Sequence, residues 1–245
     1  MTRFHERTVL VVDDEPDLCE MVAFEFQLLG SKVFAASNGL SALGILESER
    51  VDAVVTDIRM SGCDGIELLN SLRSRNPIYP IVILITAYDS DLSPREAYLM
   101  GAEGIFPKPF SLKDLVSNVE RALIPLEERW SVPPPVRPGQ VIKCLWPDYD
   151  TARREGWLAL GRGGLALMAK AHGIASGEAA WFDLELAAGP IPAIEGSGTV
   201  RWVRQGQDAD TRYCGIEFDY LTDKCRRPII EGMAEAPGKP FIPSL

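Results

Sequence analysis

The chain has 245 residues, enough for one large or two modest domains, and 46% of them are hydrophobic, ample for packed cores. Its net charge of −10 is uneven: residues 1–125 hold 11 basic against 19 acidic side chains, and residues 126–245 hold 14 against 16. Neither half is basic enough for a nucleic-acid footprint, and no apolar run nears the roughly 20 residues of a membrane span. Five cysteines without a CxxC pair and only two histidines, His5 and His172, speak against a zinc site or Cys–His catalysis.

The odd cysteine count favours a reducing compartment. The opening MTRFHERT lacks the apolar core of a signal peptide. Both observations lead to the expectation of a cytoplasmic protein without membrane insertion.

In chain order, the first half alternates short apolar runs with helical patterns. Thr8 to Val12 end in Asp13 and Asp14. Pro16 suits a helix start, and Leu18, Met21, Val22, Phe24, Phe26 and Leu29 follow at mainly helical spacing up to Gly30. A short strand at 32–36 and a helix at 39–46 precede the run from Ala53 to Asp57. Turn formers at 61–65 lead into a helix near 66–75. Ile81 to Ile85 end in Thr86, and Gly104 to Pro107 end in Lys108 and Pro109. Helices near 93–100 and 112–123 complete a five-fold βα pattern, which right-handed crossovers make a doubly wound parallel sheet.

Chemistry in such sheets sits outside the carboxyl ends of the strands. Four strands would deliver there the carboxylates of Asp13, Asp14 and Asp57, the hydroxyl of Thr86 and the ammonium of Lys108. Close carboxylates repel unless a hard cation such as Mg²⁺ binds them. A carboxylate can also act as a nucleophile and form an acyl phosphate, and cationic groups then neutralise the phosphoryl oxygens.

Residues 7–124 resemble the receiver domain of two-component response regulators, through VLVVDDEPDL, VVTDIRMSGCDGIELL, ILITAYDS and GAEGIFPKPF. The resemblance implies that Asp57 is the phospho-acceptor and that Asp14 and Asp57 ligate Mg²⁺. Asp13 would act through water and Arg59 through its carbonyl. Thr86 and Lys108 would hold the phosphoryl group, and the Lys108-Pro109 bond would be cis. The implied partners are a histidine kinase or phosphotransfer protein, and a second copy in a homodimer. The family's switch aromatic, three residues before the lysine, is Ile105 here; Phe106 should point to the opposite side of the strand.

Residues 124–139 change character. Pro125 stops the last helix, and Pro133 to Pro135 form a stiff spacer. The expected division is a receiver over 1–124, a linker over 125–139, a β domain over 140–236 and a tail over 237–245. Short apolar or alternating runs at 140–146, 157–160, 164–169, 180–186, 198–204 and 212–219 are punctuated by Gly161 to Gly164, Gly173, Gly177, Gly189-Pro190 and Gly196 to Gly198. This pattern predicts a small barrel or sandwich capped by a helix at about 221–234. All five tryptophans lie after residue 129, and most should be core.

Residues 129–235 resemble a PilZ domain, a β-barrel that commonly binds cyclic di-GMP. The matching segments are Leu158 to Leu167, Gly198 to Val203 and Tyr213 to Phe218. The ligand residues do not carry over. In the RxxxR segment Arg129 has Pro133 in place of its second arginine, and the Asp and Ser of DxSxxG fall on Ala159 and Gly161. An RxxxR from Arg3 to Arg7 is a solvated terminus in this reading. Arg153, Arg154 and Arg162 are the residues from which a different nucleotide site would be built.

The leading expectation is a response regulator, α/β plus all-β, whose Asp57 switches a PilZ-like module that acts through protein contact. It would not bind cyclic di-GMP. The alternative is an integrator that also binds the nucleotide through a non-standard site. A DNA-binding regulator is disfavoured by charge. An output enzyme is disfavoured because the second half offers no metal cluster, nucleophile–base pair or phosphate loop.

Overall fold

In the computed structural model the described residues are 4–87, 92–125, 128–170, 174–189, 191, 193–206, 211–234 and 239–245. The end of the ILITAYDS motif, Gly173, Pro190 and Arg3 lie outside them. The chain divides into two units, Met1–Ile124 and Pro125–Leu245.

The first unit alternates β1 (Thr8–Val12), α1 (Pro16–Leu28), β2 (Lys32–Ala36), α2 (Gly39–Ser48), β3 (Ala53–Asp57), α3 (Gly65–Arg75), β4 (Ile81–Thr86), α4 (Pro94–Leu99), β5 (Gly104–Pro107) and α5 (Leu112–Ala122). The five strands are parallel in the order β2-β1-β3-β4-β5, so the doubly wound sheet is present. Successive residues serve opposite layers, because strand side chains alternate. Val9, Val11, Ile83 and Ile85 pack with Phe26, Leu115 and Val119. Leu10, Val12, Val54, Val82 and Leu84 pack with Leu68, Leu69 and Leu72. Burial on both faces explains why β1, β3 and β4 read as continuous apolar runs.

The second unit holds β6 (Gln140–Asp148), α6 (Tyr149–Arg154), β7 (Leu158–Leu160), β8 (Gly164–Lys170), β9 (Ala179–Ala188), β10 (Ala193–Gln205), β11 (Thr211–Leu221) and α7 (Asp223–Ala234). Its six-stranded sheet has the order β6-β9-β10-β11-β8-β7. β6 runs parallel to β9, and every other pair is antiparallel. The expected barrel is therefore a curled, mixed half-barrel with β6 and β7 as its edges. The curl brings β6 back towards β8, where the Cys144 Sγ lies 3.9 Å from the Met168 carbonyl.

Three further expectations are corrected. Gly196 to Gly198, read as a turn, lies inside β10. Side chains at Gly196 and Gly198 would strike the Tyr220 and Glu217 carbonyls, so glycine is needed where β11 approaches and the ladder shifts register. Residues 149–154, for which the pattern carries no expectation, form a short helix capped by the Asp148 carboxylate, which accepts from the Thr151 amide at 2.7 Å. Residues 239–245 are not a loose tail: Phe241 and Ile242 are buried. Trp130, assigned to the linker, sits in the second unit's core and meets the Phe218 ring edge-on at 5.2 Å. Trp146 and Trp157 join that core. Trp181 and Trp202 are buried on the other face of the sheet, where Arg137 lies 4.1 Å over the Trp181 ring.

The first unit also buries an ion pair absent from the sequence reading. The Arg73 guanidinium donates to Glu103 at 2.9 Å, and to the carbonyls of Gly101 and Pro80. Glu103 is 1% exposed and also accepts from the Val82 amide. Removing one partner leaves an uncompensated buried charge, which costs about 3 kcal/mol or more. Glu103→Ala should therefore lower the unfolding free energy of the first unit, measured by denaturant titration, by that amount, whereas Lys32→Ala, at an exposed pair with Glu49, should change it by less than about 1 kcal/mol.

Candidate phospho-acceptor site

Each residue of the site stands where a strand ends. Asp13 follows β1, Asp57 closes β3, Thr86 closes β4 and Lys108 follows β5. The loop after Asp57 is fixed by what comes next. Asp64 caps α3 by accepting from the Glu67 amide at 2.8 Å, and Glu67 reaches back to the Asp64 amide at 3.1 Å. This reciprocal cap places Gly65 directly on the Asp57 backbone. A side chain there would collide with the Asp57 carbonyl oxygen.

Lys108 gathers the acids. Its ammonium lies 2.8 Å from Asp57 Oδ1, 3.2 Å from Asp13 Oδ2 and 2.7 Å from Glu15 Oε1. The other Asp57 oxygen accepts from the Arg59 amide at 2.7 Å, and Asp13 Oδ1 accepts from the Glu15 amide at 2.8 Å. Burial pushes the Asp57 carboxyl above its ordinary range; Lys108 pulls it down and Asp13 pushes it further up. Burial also works against the Lys108 charge, but Asp57, Glu15 and Asp13 outweigh it and raise the lysine. It stays an ammonium across the physiological range.

The structure thus brings together Asp13, Asp57 and Lys108. Thr86 is buried at the adjoining strand end and donates to the Ala87 carbonyl at 3.1 Å. The Asp14 and Arg59 side chains are exposed beside the cluster, and among the described residues no three His, Cys, Asp or Glu side chains form a ready-made metal cage. Asp13, Asp57 and Glu15 surround the Lys108 ammonium, and Asp14, next to Asp13 in the chain, is exposed. Glu15 was missed; its signal is its place two residues beyond Asp13, at the start of α1. The Lys108-Pro109 peptide is cis, as the resemblance implied, and so is Tyr79-Pro80. Ile105 packs with the α3 layer and Phe106 with the α5 layer, 6.5 Å from the Phe110 ring.

Of the arginines considered for a nucleotide site, Arg153 and Arg154 are exposed on α6, and Arg154 lies 3.7 Å from Glu155. Arg162 is buried and donates through Nε to the Lys239 carbonyl at 2.8 Å.

Residues 9–120 match the response regulator receiver domain family. The chain is 38% identical over 117 residues to "Probable transcriptional regulatory protein TcrX" of Mycobacterium tuberculosis, covering 48% of this chain and 49% of that protein. It is 35% identical over 114 residues to the heme response regulator HssR of Staphylococcus aureus strain Newman, covering 46% and 50%. The chain spans about half the length of these curated relatives. Among solved structures, it is similar to the Francisella response regulator 1452 receiver domain, at 31% identity and TM-score 0.45, over 48% of this chain and 97% of that one. It is likewise similar to TrrA of Thermotoga maritima in complex with Mg(2+)-BeF, at 32% identity and TM-score 0.42, over 47% and 98%.

The contact between Gly65 and Asp57 gives a sharp test. Gly65→Ala should push the Asp57 loop outward and slow phosphoryl labelling at least about ten-fold, a barrier increase of roughly 1.4 kcal/mol. Phosphate-affinity electrophoresis after incubation with Mg²⁺ and a small phosphodonor would measure it.

Proposed function

Residues 9–120 being a response regulator receiver domain, we propose that the chain is a phospho-switched regulator whose Asp57 takes the phosphoryl group. The donor is a histidine kinase or a phosphotransfer protein. The second unit acts through protein contact and does not bind cyclic di-GMP. The observation that carries the first part is the Lys108 ammonium 2.8 Å from the buried Asp57 and 3.2 Å from Asp13, at the carboxyl edge of a doubly wound sheet.

The geometry supports a division of labour. Asp57 attacks phosphorus and becomes an acyl phosphate, while the donor's leaving group departs with its electron pair. Lys108 neutralises the phosphoryl oxygens in the transition state and holds Asp13 beside them. The Arg59 amide fixes the second Asp57 oxygen and so aims the first. The Thr86 hydroxyl, at the end of the neighbouring strand and now donating to the Ala87 carbonyl, is the group that would donate to the phosphoryl oxygens.

The donor set fits Mg²⁺, because two buried carboxylates, Asp13 and Asp57, already share one cation, and Asp14 and Arg59 adjoin them in the chain with further hard oxygens. Asp14, Asp57 and the Arg59 carbonyl would hold the ion, with Asp13 behind a water. When bound, it supplies further positive charge to the phosphoryl oxygens.

For the second unit, a dinucleotide diphosphate calls for charge-assisted, bidentate contacts, each contributing about 1–3 kcal/mol. Pro133, Ala159 and Gly161 stand at three positions that supply such contacts in the resembled family. Arg162 is engaged with Lys239, and Arg153 and Arg154 are on a different element. Losing about three contacts costs on the order of 3–9 kcal/mol.

A phosphoryl mass increase that is acid-stable and alkali-labile should appear on wild-type protein and vanish in Asp57→Ala. Lys108→Ala should slow its appearance at least about ten-fold, while Thr86→Ala should be labelled readily and fail in the response. Equal labelling of Asp57→Ala would overturn the assignment. Titration calorimetry of the whole chain with cyclic di-GMP should show no saturable site tighter than about 10 µM, roughly −7 kcal/mol. Such a site would favour the integrator.

A further inference from the structure

The turn between β7 and β8 is occupied by a distant stretch of the same chain. The Arg162 amide donates to the Pro240 carbonyl at 2.9 Å, and the Gly163 amide to the Phe241 carbonyl at 2.8 Å. The Arg162 Nε donates to the Lys239 carbonyl at 2.8 Å. Three donors from two adjacent residues thus take three successive main-chain carbonyls.

The side chains fit as closely. A Cβ at Gly163 would strike the Phe241 ring, and one at Gly161 would strike the Pro240 and Phe241 carbonyls and the Pro243 ring. Neither glycine adopts positive φ, so their need is steric and comes from the docked segment. Phe241 is 4% and Ile242 0% exposed, yet neither belongs to the unit's core cluster. The Arg162 guanidinium lies 5.9 Å from the Phe241 ring centre.

The chemistry is that of peptide recognition. The turn presents donors, and the segment presents acceptors. Pro240 and Pro243 have no N–H to leave unsatisfied there. Main-chain contacts supply affinity, and the buried Phe241 and Ile242 side chains supply selectivity, as in grooves that bind proline-rich extended peptides. None of these contacts depends on the peptide being covalently joined to the unit.

We propose that the β7–β8 turn is a peptide-docking groove, that Lys239–Leu245 is its built-in occupant, and that a partner protein displaces it with an extended Pro-aromatic-aliphatic-Pro segment. This deepens the reading that the second unit works through protein contact. Its test involves neither phosphodonor nor Asp57, so failure of the phospho-switch would leave the result standing.

The probe is a fluorescently labelled heptapeptide, Lys-Pro-Phe-Ile-Pro-Ser-Leu, followed by anisotropy. A segment tethered in the same chain competes at an effective concentration on the order of millimolar, so wild-type protein should bind it weakly. The full chain carrying Phe241→Ala, and a chain lacking residues 239–245, should each bind at least ten-fold more tightly than wild type. A peptide with alanine in place of its phenylalanine should lose at least ten-fold on both. If the shortened chain loses its fold by circular dichroism, recovery on adding the peptide supports docking in trans. Absence of recovery overturns the proposal, as does equal binding to wild type and both variants. A wild-type dimer in light scattering that becomes monomeric on removing residues 239–245 would place the segment on a second copy and would likewise overturn it.

Discussion

One ammonium among three carboxylates sets the character of the first unit. Lys108 touches Asp57, Asp13 and Glu15, so the cluster carries a net charge of about −2 when all are ionised. At an effective dielectric constant near 20, unit charges about 4 Å apart interact by on the order of 4 kcal/mol, before the opposing cost of desolvation. The cluster is therefore stable enough to hold its shape and negative enough to attract a cation. Both Asp57 oxygens are engaged, one by Lys108 and one by the Arg59 amide. A group arriving on Asp57 would meet the Lys108 contact first, and Lys108 directly follows β5.

What such an arrival meets next depends on the pleat of β5. Ile105 faces the layer containing α3, and Phe106 faces the layer containing α5. The side chain on the α3 side is aliphatic and half-buried, so it has no hydroxyl or ring to exchange between two hydrogen-bonded positions. Adjustment there is repacking rather than a swing of an aromatic. Thr86, at the end of the neighbouring strand, is the group with a hydrogen bond to exchange.

The first unit was legible because its strands are buried on both faces. Continuous apolar runs at Thr8–Val12 and Ile81–Thr86 signal parallel strands, and their ends name the site. Glu15 escaped because an exposed acid at a helix start has many roles, and only the fold brings it 2.7 Å from a lysine 93 residues away. The second unit was less legible. Glycines 196 and 198 looked like a turn because close packing of two backbones and chain reversal use the same residue type. Pairing β6 with β9 across an intervening hairpin leaves no local trace, so the mixed, open-edged sheet could not be told from the expected barrel. The glycines around Arg162 were visible, but what they make room for lies 77 residues further on.

The parallel pairing of β6 with β9 also bears on biosynthesis. β6 is made first in its unit, yet its sheet neighbour begins about 30 residues after it ends, and parallel partners cannot be joined by a tight hairpin. At about 5–20 residues per second, the ribosome takes roughly 2–8 s to supply β9. For that interval the nascent Val141, Ile142, Leu145 and Trp146 form an apolar segment with no strand to lie against. Lys143, exposed in the finished protein, puts a charge in the middle of it, the kind of residue that discourages a waiting strand from pairing with another chain.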